Sequence, residues 1–225
     1  MSAKGHIWIS ATLSVLLLGG AVGAASAGPA RPSAEVLPLP RDQAPDIPLH
    51  PDGGQKLLPA PGESERARQL DGLLKTLKGA VDNTEAKEVE LEIWRVWMHS
   101  GSDAVDLLMK RVITAINDED YSLALALLNR IVEIRPGYAE GWNKRASVLF
   151  VLQDFQGSLF DIERTLILEP HHFGALSGLG TVLEELGEKK KALEAFRRAL
   201  ELNPFLPGAR RAEKNLAAEV EGRDI

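Results

Sequence analysis

The chain has 225 residues, a formal net charge of −6 and no cysteine, which excludes disulfide bonds and a cysteine lipidation site. Hydrophobic residues make up 44% of the sequence, enough for a core, while Ala, Leu, Glu, Lys and Arg dominate its second half and favour an all-α fold. Acidic and basic side chains are interspersed without a dense basic patch, which argues against nucleic acid as a partner.

Residues 1–27 are predicted to be a secretory signal peptide. Lys4 precedes an apolar run from Ile7 to about Ala25, and the sequence ASA at the end of that run fits a cleavage site. We therefore expect cleavage before Gly28. A cysteine-free, helical secreted chain is more typical of a bacterial periplasm than of animal secretion, so we expect a periplasmic protein. The alternative is a retained membrane anchor, and only then is membrane contact expected.

Residues 28–62 are predicted to be a proline-rich, disordered leader. Nine of the 13 prolines lie here, and the segment has neither a helical nor a strand period. Such a composition is typical of a flexible, partly extended tether. The stretch PLPRDQAP also resembles a proline-rich ligand, but a spacer is the favoured interpretation.

Residues 63–103 are predicted to form two antiparallel amphipathic helices. Each has an apolar stripe at helical spacing, which in the first consists of Leu70, Leu73, Leu74 and Leu77, and in the second of Val89, Ile93, Val96 and Trp97. We expect this pair to act as a degenerate repeat or cap at the N-terminal end of the domain. Trp94 and Trp97 would then fill its core. Alternatively, the two tryptophans mark a partner site.

Residues 104–206 repeat with a period of 34 residues. Pro136, Pro170 and Pro204 are each 34 residues apart, and they end the similar phrases RIVEIRP, RTLILEP and RALELNP. The same shift aligns Tyr121 with Phe155. Regular self-similarity of this length indicates stacked supersecondary units.

This pattern resembles the tetratricopeptide repeat (TPR), a 34-residue helix–turn–helix unit. The three copies are 105–138, 139–172 and 173–206, and a capping helix and tail follow over 207–225. The third copy matches best, since it has the family's residue types at Leu176, Leu179, Gly180, Leu183, Ala192, Leu193, Phe196, Ala199 and Pro204. The resemblance implies an all-α TPR solenoid of antiparallel helix pairs with a C-terminal capping helix.

The second copy departs from the family pattern at two positions. Arg145 stands where an apolar residue is usual, and Thr165 stands where alanine is usual. The copy keeps Trp142, Phe155 and Pro170, so its assignment as a repeat does not depend on these two positions.

The stretch LEPHHFGALSGLG combines two histidines with closely spaced glycines. His171 and His172 fall in the turn after Pro170 and lack further ligands at metal-site spacing. The glycines lack the Lys of a phosphate-binding loop and lie within a predicted helix, where Gly180 takes the small-residue position. Two acidic clusters are best interpreted as solvated helix faces, namely Glu88, Glu90 and Glu92, and Glu184 and Glu185. We therefore predict no enzymatic activity, no metal and no cofactor.

The resemblance implies that a protein or peptide binds along a concave groove lined by the first helix of each repeat. The groove residues carried over by position are Met109, Ile113, Glu140, Asn143, Lys144, Ser147, Phe150, Gly174, Ser177, Gly178, Thr181, Glu184, Arg211 and Asn215. Gly174 and Gly178 would let a ligand backbone approach closely, with Lys144 and Arg211 among the flanking donors. The Lys and Asn pattern of chaperone-clamping TPRs is absent, since its positions include Met109 here.

The chain also resembles short periplasmic TPR proteins of alphaproteobacteria that are linked to cell-envelope integrity. That resemblance implies a non-catalytic scaffold or adaptor for an envelope protein or peptide. The main alternative is a regulator of a peptidoglycan-synthesis or cell-division enzyme. A hydrolase or a glycan-binding protein is disfavoured, because no catalytic constellation or aromatic row is present.

Overall fold

The structure is a computed structural model that describes residues 63–222, all within the second of two compact units, Asp46–Ile225. The predicted signal peptide, the proline-rich leader and residues 223–225 lie outside the described residues. Within 63–222, none of the helices combines the length and the apolar character needed to span a membrane.

The described residues form nine helices and no strand, which confirms the prediction of an all-α solenoid of helix pairs. In chain order the helices are α1 (Glu63–Lys78), α2 (Asn83–Met98), α3 (Asp103–Asn117), α4 (Tyr121–Ile134), α5 (Ala139–Val151), α6 (Phe155–Leu168), α7 (Phe173–Glu185), α8 (Lys189–Leu202) and α9 (Pro207–Val220). Helices α3 and α4, α5 and α6, and α7 and α8 pack as pairs, and α9 packs on α8.

The 34-residue period of the sequence is also present in the backbone. The turns inside the three pairs each contain one residue in the left-handed region, namely Glu119 (φ 57°), Gln153 (φ 62°) and Gly187 (φ 81°). These positions are 34 residues apart, so each repeat turns from its first to its second helix in the same way. Only the third repeat places glycine, the residue best suited to this conformation, at the turn.

Side chains cap the helices at corresponding positions. The Asp120 carboxylate accepts the Leu123 backbone N–H at 3.0 Å, and the Asp154 carboxylate accepts that of Gly157 at 2.9 Å. Each satisfies a donor that the first helical turn leaves unpaired. These caps begin the second helix of the first and second repeats.

Gly180 lets α7 and α8 approach closely. A Cβ atom at this position would lie 2.8 Å from the ring of Phe196, which itself is buried. Gly178, two residues earlier in α7, differs: the nearest atom to its Cβ position is Ile162 Cδ1, at 3.9 Å. The family's small-residue position is therefore a packing requirement at Gly180 and not at Gly178.

The two residues that depart from the repeat pattern, Arg145 and Thr165, both interact with Asp161. Arg145 forms a two-pronged ion pair with Asp161, with Nε–Oδ2 and NH2–Oδ1 distances of 2.7 Å. The Thr165 hydroxyl donates to the backbone carbonyl of Asp161 at 2.8 Å. An interhelical polar contact between α5 and α6 thus replaces the usual apolar and alanine packing.

Helices α1 and α2 form what we call the N-terminal hairpin, and its position differs from the expected degenerate repeat. Helix α2 packs on α5, and α1 packs on α8; neither packs along α3 in the way that α4 packs on α5. The hairpin is out of phase with the repeats, because α2 begins at Asn83 whereas a 34-residue shift from Tyr121 leads to position 87. The hairpin therefore does not continue the stacking of the repeats onto α3.

The contrast between Gly178 and Gly180 in α7 gives a matched test of the packing. Gly178→Ala should stabilise the protein by about 0.5–1 kcal/mol, because alanine favours the helix and has room. Gly180→Ala should destabilise it by about 1 kcal/mol net, since overpacking against Phe196 outweighs the same gain. Urea unfolding followed by circular dichroism measures both. Equal stability of the two variants would show that α7 and α8 do not pack this closely.

Candidate functional site

The first-helix face is the side of the array formed by α3, α5, α7 and α9, where the sequence predicts the partner groove. The structure divides the predicted groove residues into three sets. Met109 is buried in the core of the first repeat, packed with Val105, Val112 and Ala115 of its own helix. Four residues form a second set, namely Lys144 and Gly174, which contact Trp94 of the N-terminal hairpin, and Glu140 and Asn143, which are joined to Lys144 in one buried network. The remaining residues are partly or fully exposed, namely Ile113, Ser147, Phe150, Ser177, Gly178, Thr181, Glu184, Arg211 and Asn215.

Trp94 of α2 covers the part of the face around Gly174. A Cβ atom on Gly174 would lie 2.8 Å from the Trp94 ring, so only glycine admits the indole at this distance. The Lys144 ammonium lies 5.3 Å from the centre of the same ring, within cation–π range. The close approach that the sequence assigns to a ligand backbone is thus made by a side chain of the same protein.

Trp97 of α2 stacks on His172, at the start of α7. Their ring centres are 4.0 Å apart and the planes are inclined by 10°. Phe173 completes the cluster, with its ring centre 4.9 Å from that of Trp97. The indole of Trp97, the imidazole and the phenyl ring are all fully buried. The two tryptophans therefore pack the hairpin against the third repeat as well as filling its core.

Both ring nitrogens of His172 have protein partners. Nδ1 accepts the backbone N–H of Ala175 at 3.1 Å, which caps α7, and Nε2 lies 2.9 Å from Glu140 Oε2. An accepting Nδ1 assigns the tautomer with its proton on Nε2, which then donates to the carboxylate. His172 is accordingly a structural residue, engaged on both sides, and His171 is exposed.

Glu140 is the centre of the buried polar network on α5. Its Oε1 is 2.6 Å from Lys144 Nζ, and its Oε2 also accepts the Asn143 amide at 3.0 Å. Only 1% of Glu140 and 2% of Lys144 are exposed. Predicted as groove-lining residues, Glu140, Asn143 and Lys144 are instead buried, and Trp94 of the hairpin lies over the Lys144 ammonium.

The network sets the protonation of Glu140. Burial by itself would raise the pKa of this carboxyl above its usual 4.5, but the Lys144 ammonium and the hydrogen bond from His172 lower it to about 2. The carboxylate is therefore charged at neutral pH, and it balances the buried ammonium.

The uncovered part of the first-helix face is lined by small and polar side chains. The hydroxyls of Ser147 and Thr181 donate to backbone carbonyls one helical turn earlier, at 3.0 and 3.1 Å. Arg211 and Asn215 on α9 are exposed at its end. Burial raises the pKa of Glu184, and the neighbouring Glu185 and Glu219 raise it further. Across 63–222 no three His, Asp or Glu side chains are grouped in a way that could hold a metal ion.

Removing one charge from the buried pair should destabilise the protein more than removing both. Glu140→Leu leaves the Lys144 ammonium buried without a counter-ion, which should cost about 3–5 kcal/mol. Adding Lys144→Met removes that unpaired charge and should recover a measurable part of the loss. Urea unfolding of the single and the double variant tests this. A double variant that is no more stable than the single one would contradict the coupling.

The lowered pKa of Glu140 predicts a specific acid response. The unfolded carboxyl binds its proton near pH 4.5 and the folded one only near pH 2, so the unfolded state binds more protons in between. The contribution of Glu140 to stability is therefore present above pH 4.5 and is lost as the pH falls towards 2. The stability difference between the wild type and Glu140→Gln, measured as thermal midpoints, should shrink across this range. A pH-independent difference would contradict the assignment.

Comparisons with known proteins agree with the helix-pair architecture. The family model for the tetratricopeptide repeat matches residues 174–206, which is the third repeat. A TPR repeat-containing protein of Rhizobium etli is 36% identical over 159 residues, covering 71% of this chain and 78% of the relative.

Two solved TPR structures have the same fold. The TPR domain of Arabidopsis OM64 superposes with a TM-score of 0.51 at 24% identity, over 52% of this chain and 98% of that domain. The first TPR domain of Spaghetti (RPAP3), solved bound to the HSP90 peptide SRMEEVD, has a TM-score of 0.50 at 20% identity, over 52% of this chain and 93% of that one. With the extensive match to the Rhizobium relative, these findings establish that the chain belongs to the tetratricopeptide repeat family.

Proposed function

We propose that this protein is a non-catalytic periplasmic adaptor that binds a protein or peptide partner and supports the integrity of the cell envelope. TPR proteins mediate protein–protein interactions, and a similar domain is solved with a bound peptide. The related protein from Rhizobium etli, an alphaproteobacterium, supports the bacterial context. The predicted signal peptide supports the periplasmic location.

The observation that carries the proposal is the uncovered part of the first-helix face. Four predicted groove residues on α5 and α7 remain partly exposed, as a binding surface requires, namely Ser147, Ser177, Gly178 and Thr181. A Cβ atom on Gly178 would meet only Ile162 Cδ1 at 3.9 Å, so a ligand backbone has room to approach. Short side chains lose little conformational entropy when they are covered, which suits binding of an extended peptide.

The polar and charged side chains at the edge of this surface would set the orientation of a bound segment. Glu184 is exposed at the end of α7, while Arg211 and Asn215 are exposed on α9. An extended segment that runs from α7 to α9 would meet a hydrogen-bond acceptor at Glu184 and then the donors of Arg211 and Asn215. Such rim charges mainly set specificity and association rate, and the floor sets how closely the ligand packs.

Partner capture tests the proposal. The tagged full-length chain is expressed in the native bacterium, crosslinked in living cells and recovered from the periplasmic fraction. Arg211→Glu with Asn215→Ala should lower recovery of the main envelope partner by about tenfold, which corresponds to about 1.4 kcal/mol of binding free energy. Lys190→Glu is the control, because it changes the charge equally at an exposed position on α8.

Equal recovery with both variants would show that the uncovered surface does not bind the partner. Recovery of the chain from the cytoplasm alone, or with residues 1–27 still attached, would contradict a cleaved periplasmic form. The mass of the recovered chain decides this, because cleavage before Gly28 defines one new N-terminus.

A further inference from the structure

We propose that the part of the first-helix face beneath the N-terminal hairpin is a second binding site, whose external ligand is an amphipathic helix of a partner protein with two aromatic residues three positions apart. Helix α2 occupies the site in the closed chain and is displaced by that partner helix. This inference rests on the proposed adaptor function and adds a partner class and a form of regulation to it.

The contacts of α2 define what the site recognises. Trp97 stacks on the His172 ring, while Trp94 meets Gly174 and the Lys144 ammonium. Because the two tryptophans are three residues apart on one helix, they lie on the same side of it. The site thus selects a helix with two aromatic side chains at this spacing, and the glycine at 174 provides the room for one of them.

Part of the surface beneath the hairpin is polar. Glu140, Lys144 and Asn143 are charged or polar, and the Lys144 ammonium, which lies over Trp94, regains hydration when the hairpin leaves. Burying such a network is expensive, and its mutual attraction compensates for the lost hydration only in part. The polar network therefore offsets part of the cost of exposing Phe173 and the other apolar side chains that pack against the hairpin.

The hairpin interface also leaves hydrogen-bonding groups unused. Arg66 Nε on α1 and Trp97 Nε1 on α2 are buried without a hydrogen-bond partner in the described protein. Asn203 Nδ2 is in the same situation, beside Leu202 and Phe205, which pack against the hairpin cluster. Unsatisfied buried donors weaken the hairpin interface. Asn203 Nδ2 stays with the repeats when the hairpin leaves, so a partner helix that accepts a hydrogen bond from it has an advantage over α2.

The connection between the hairpin and the first repeat keeps a displaced hairpin close by. Asp106 accepts hydrogen bonds from the Ser100 backbone N–H and hydroxyl, which fixes the link to α3. Gly101 has a φ of 75° within the same link and is exposed. The tethered α2 is therefore present at high effective concentration, and a partner helix must compete with it. Binding of the partner is accordingly weak in the closed chain and strong once the hairpin is weakened.

The test uses the full-length chain and a fluorescein-labelled peptide with the sequence of residues 82–98. Trp94→Ala with Trp97→Ala weakens α2 but leaves the site on α5 and α7 intact. This variant should bind the peptide at least about tenfold more tightly than the wild type in fluorescence anisotropy. Adding Gly174→Leu fills the space for one tryptophan and should remove the gain. A peptide with both tryptophans replaced by alanine should bind none of the chains.

A hydrogen-exchange measurement on the wild type gives an independent check that needs no substitution. Amides of α1 and α2 should exchange as one unit, faster than those of α5 to α8, because the hairpin opens while the repeats stay folded. Equal protection of the hairpin and the repeats would overturn the proposal. So would a double variant that keeps its repeats folded, by circular dichroism, yet fails to bind the peptide.

Two other outcomes are also decisive. If the double variant or the wild type forms dimers by exchanging hairpins, light scattering will show a doubled mass, and the occupant is then a second copy and not a partner helix. If the peptide fails to bind while partner capture still depends on Arg211 and Asn215, this inference is wrong and the adaptor function stands.

Discussion

The charged network around Glu140 constrains the rest of the structure. A carboxylate buried beside Lys144 must keep its partners, because a lone buried charge is far more costly than a paired one. His172 supplies one of those partners and at the same time caps α7. Trp97 then covers the imidazole. One set of side chains thereby fixes the register between α5, the start of α7 and the N-terminal hairpin.

Much of the fold could be predicted because it repeats. The 34-residue spacing of Pro136, Pro170 and Pro204 identifies the helix pairs without any knowledge of long-range contacts. Gly180 could be assigned to close packing for the same reason, and its position against Phe196 agrees with that assignment. Periodic positions share one environment, so a residue type that recurs at one offset indicates that environment directly.

The candidate site was harder to predict because its key contacts do not repeat. Lys144 and Glu140 occupy groove positions, and a charged residue at such a position is normally exposed. Their burial depends on partners far away in the sequence, His172 for Glu140 and Trp94 of the hairpin for Lys144. Gly174 was identified as a point of close approach, but sequence alone could not show that Trp94, about 80 residues earlier, is what approaches. The sequence contains one indication of this contact: glycine weakens a helix, yet Gly174 lies within a segment whose pattern clearly predicts a helix.

The position of the hairpin affects how this solenoid unfolds. Repeat arrays normally behave as one-dimensional chains, in which each unit senses only its neighbours and the ends fray first. Here α1 packs on α8, so the first and one of the last helices of the described chain share an interface. That contact acts as a clasp between distant units, and it raises the mean sequence separation of native contacts. We therefore expect loss of the clasp to convert one concerted unfolding transition into gradual unravelling from the ends.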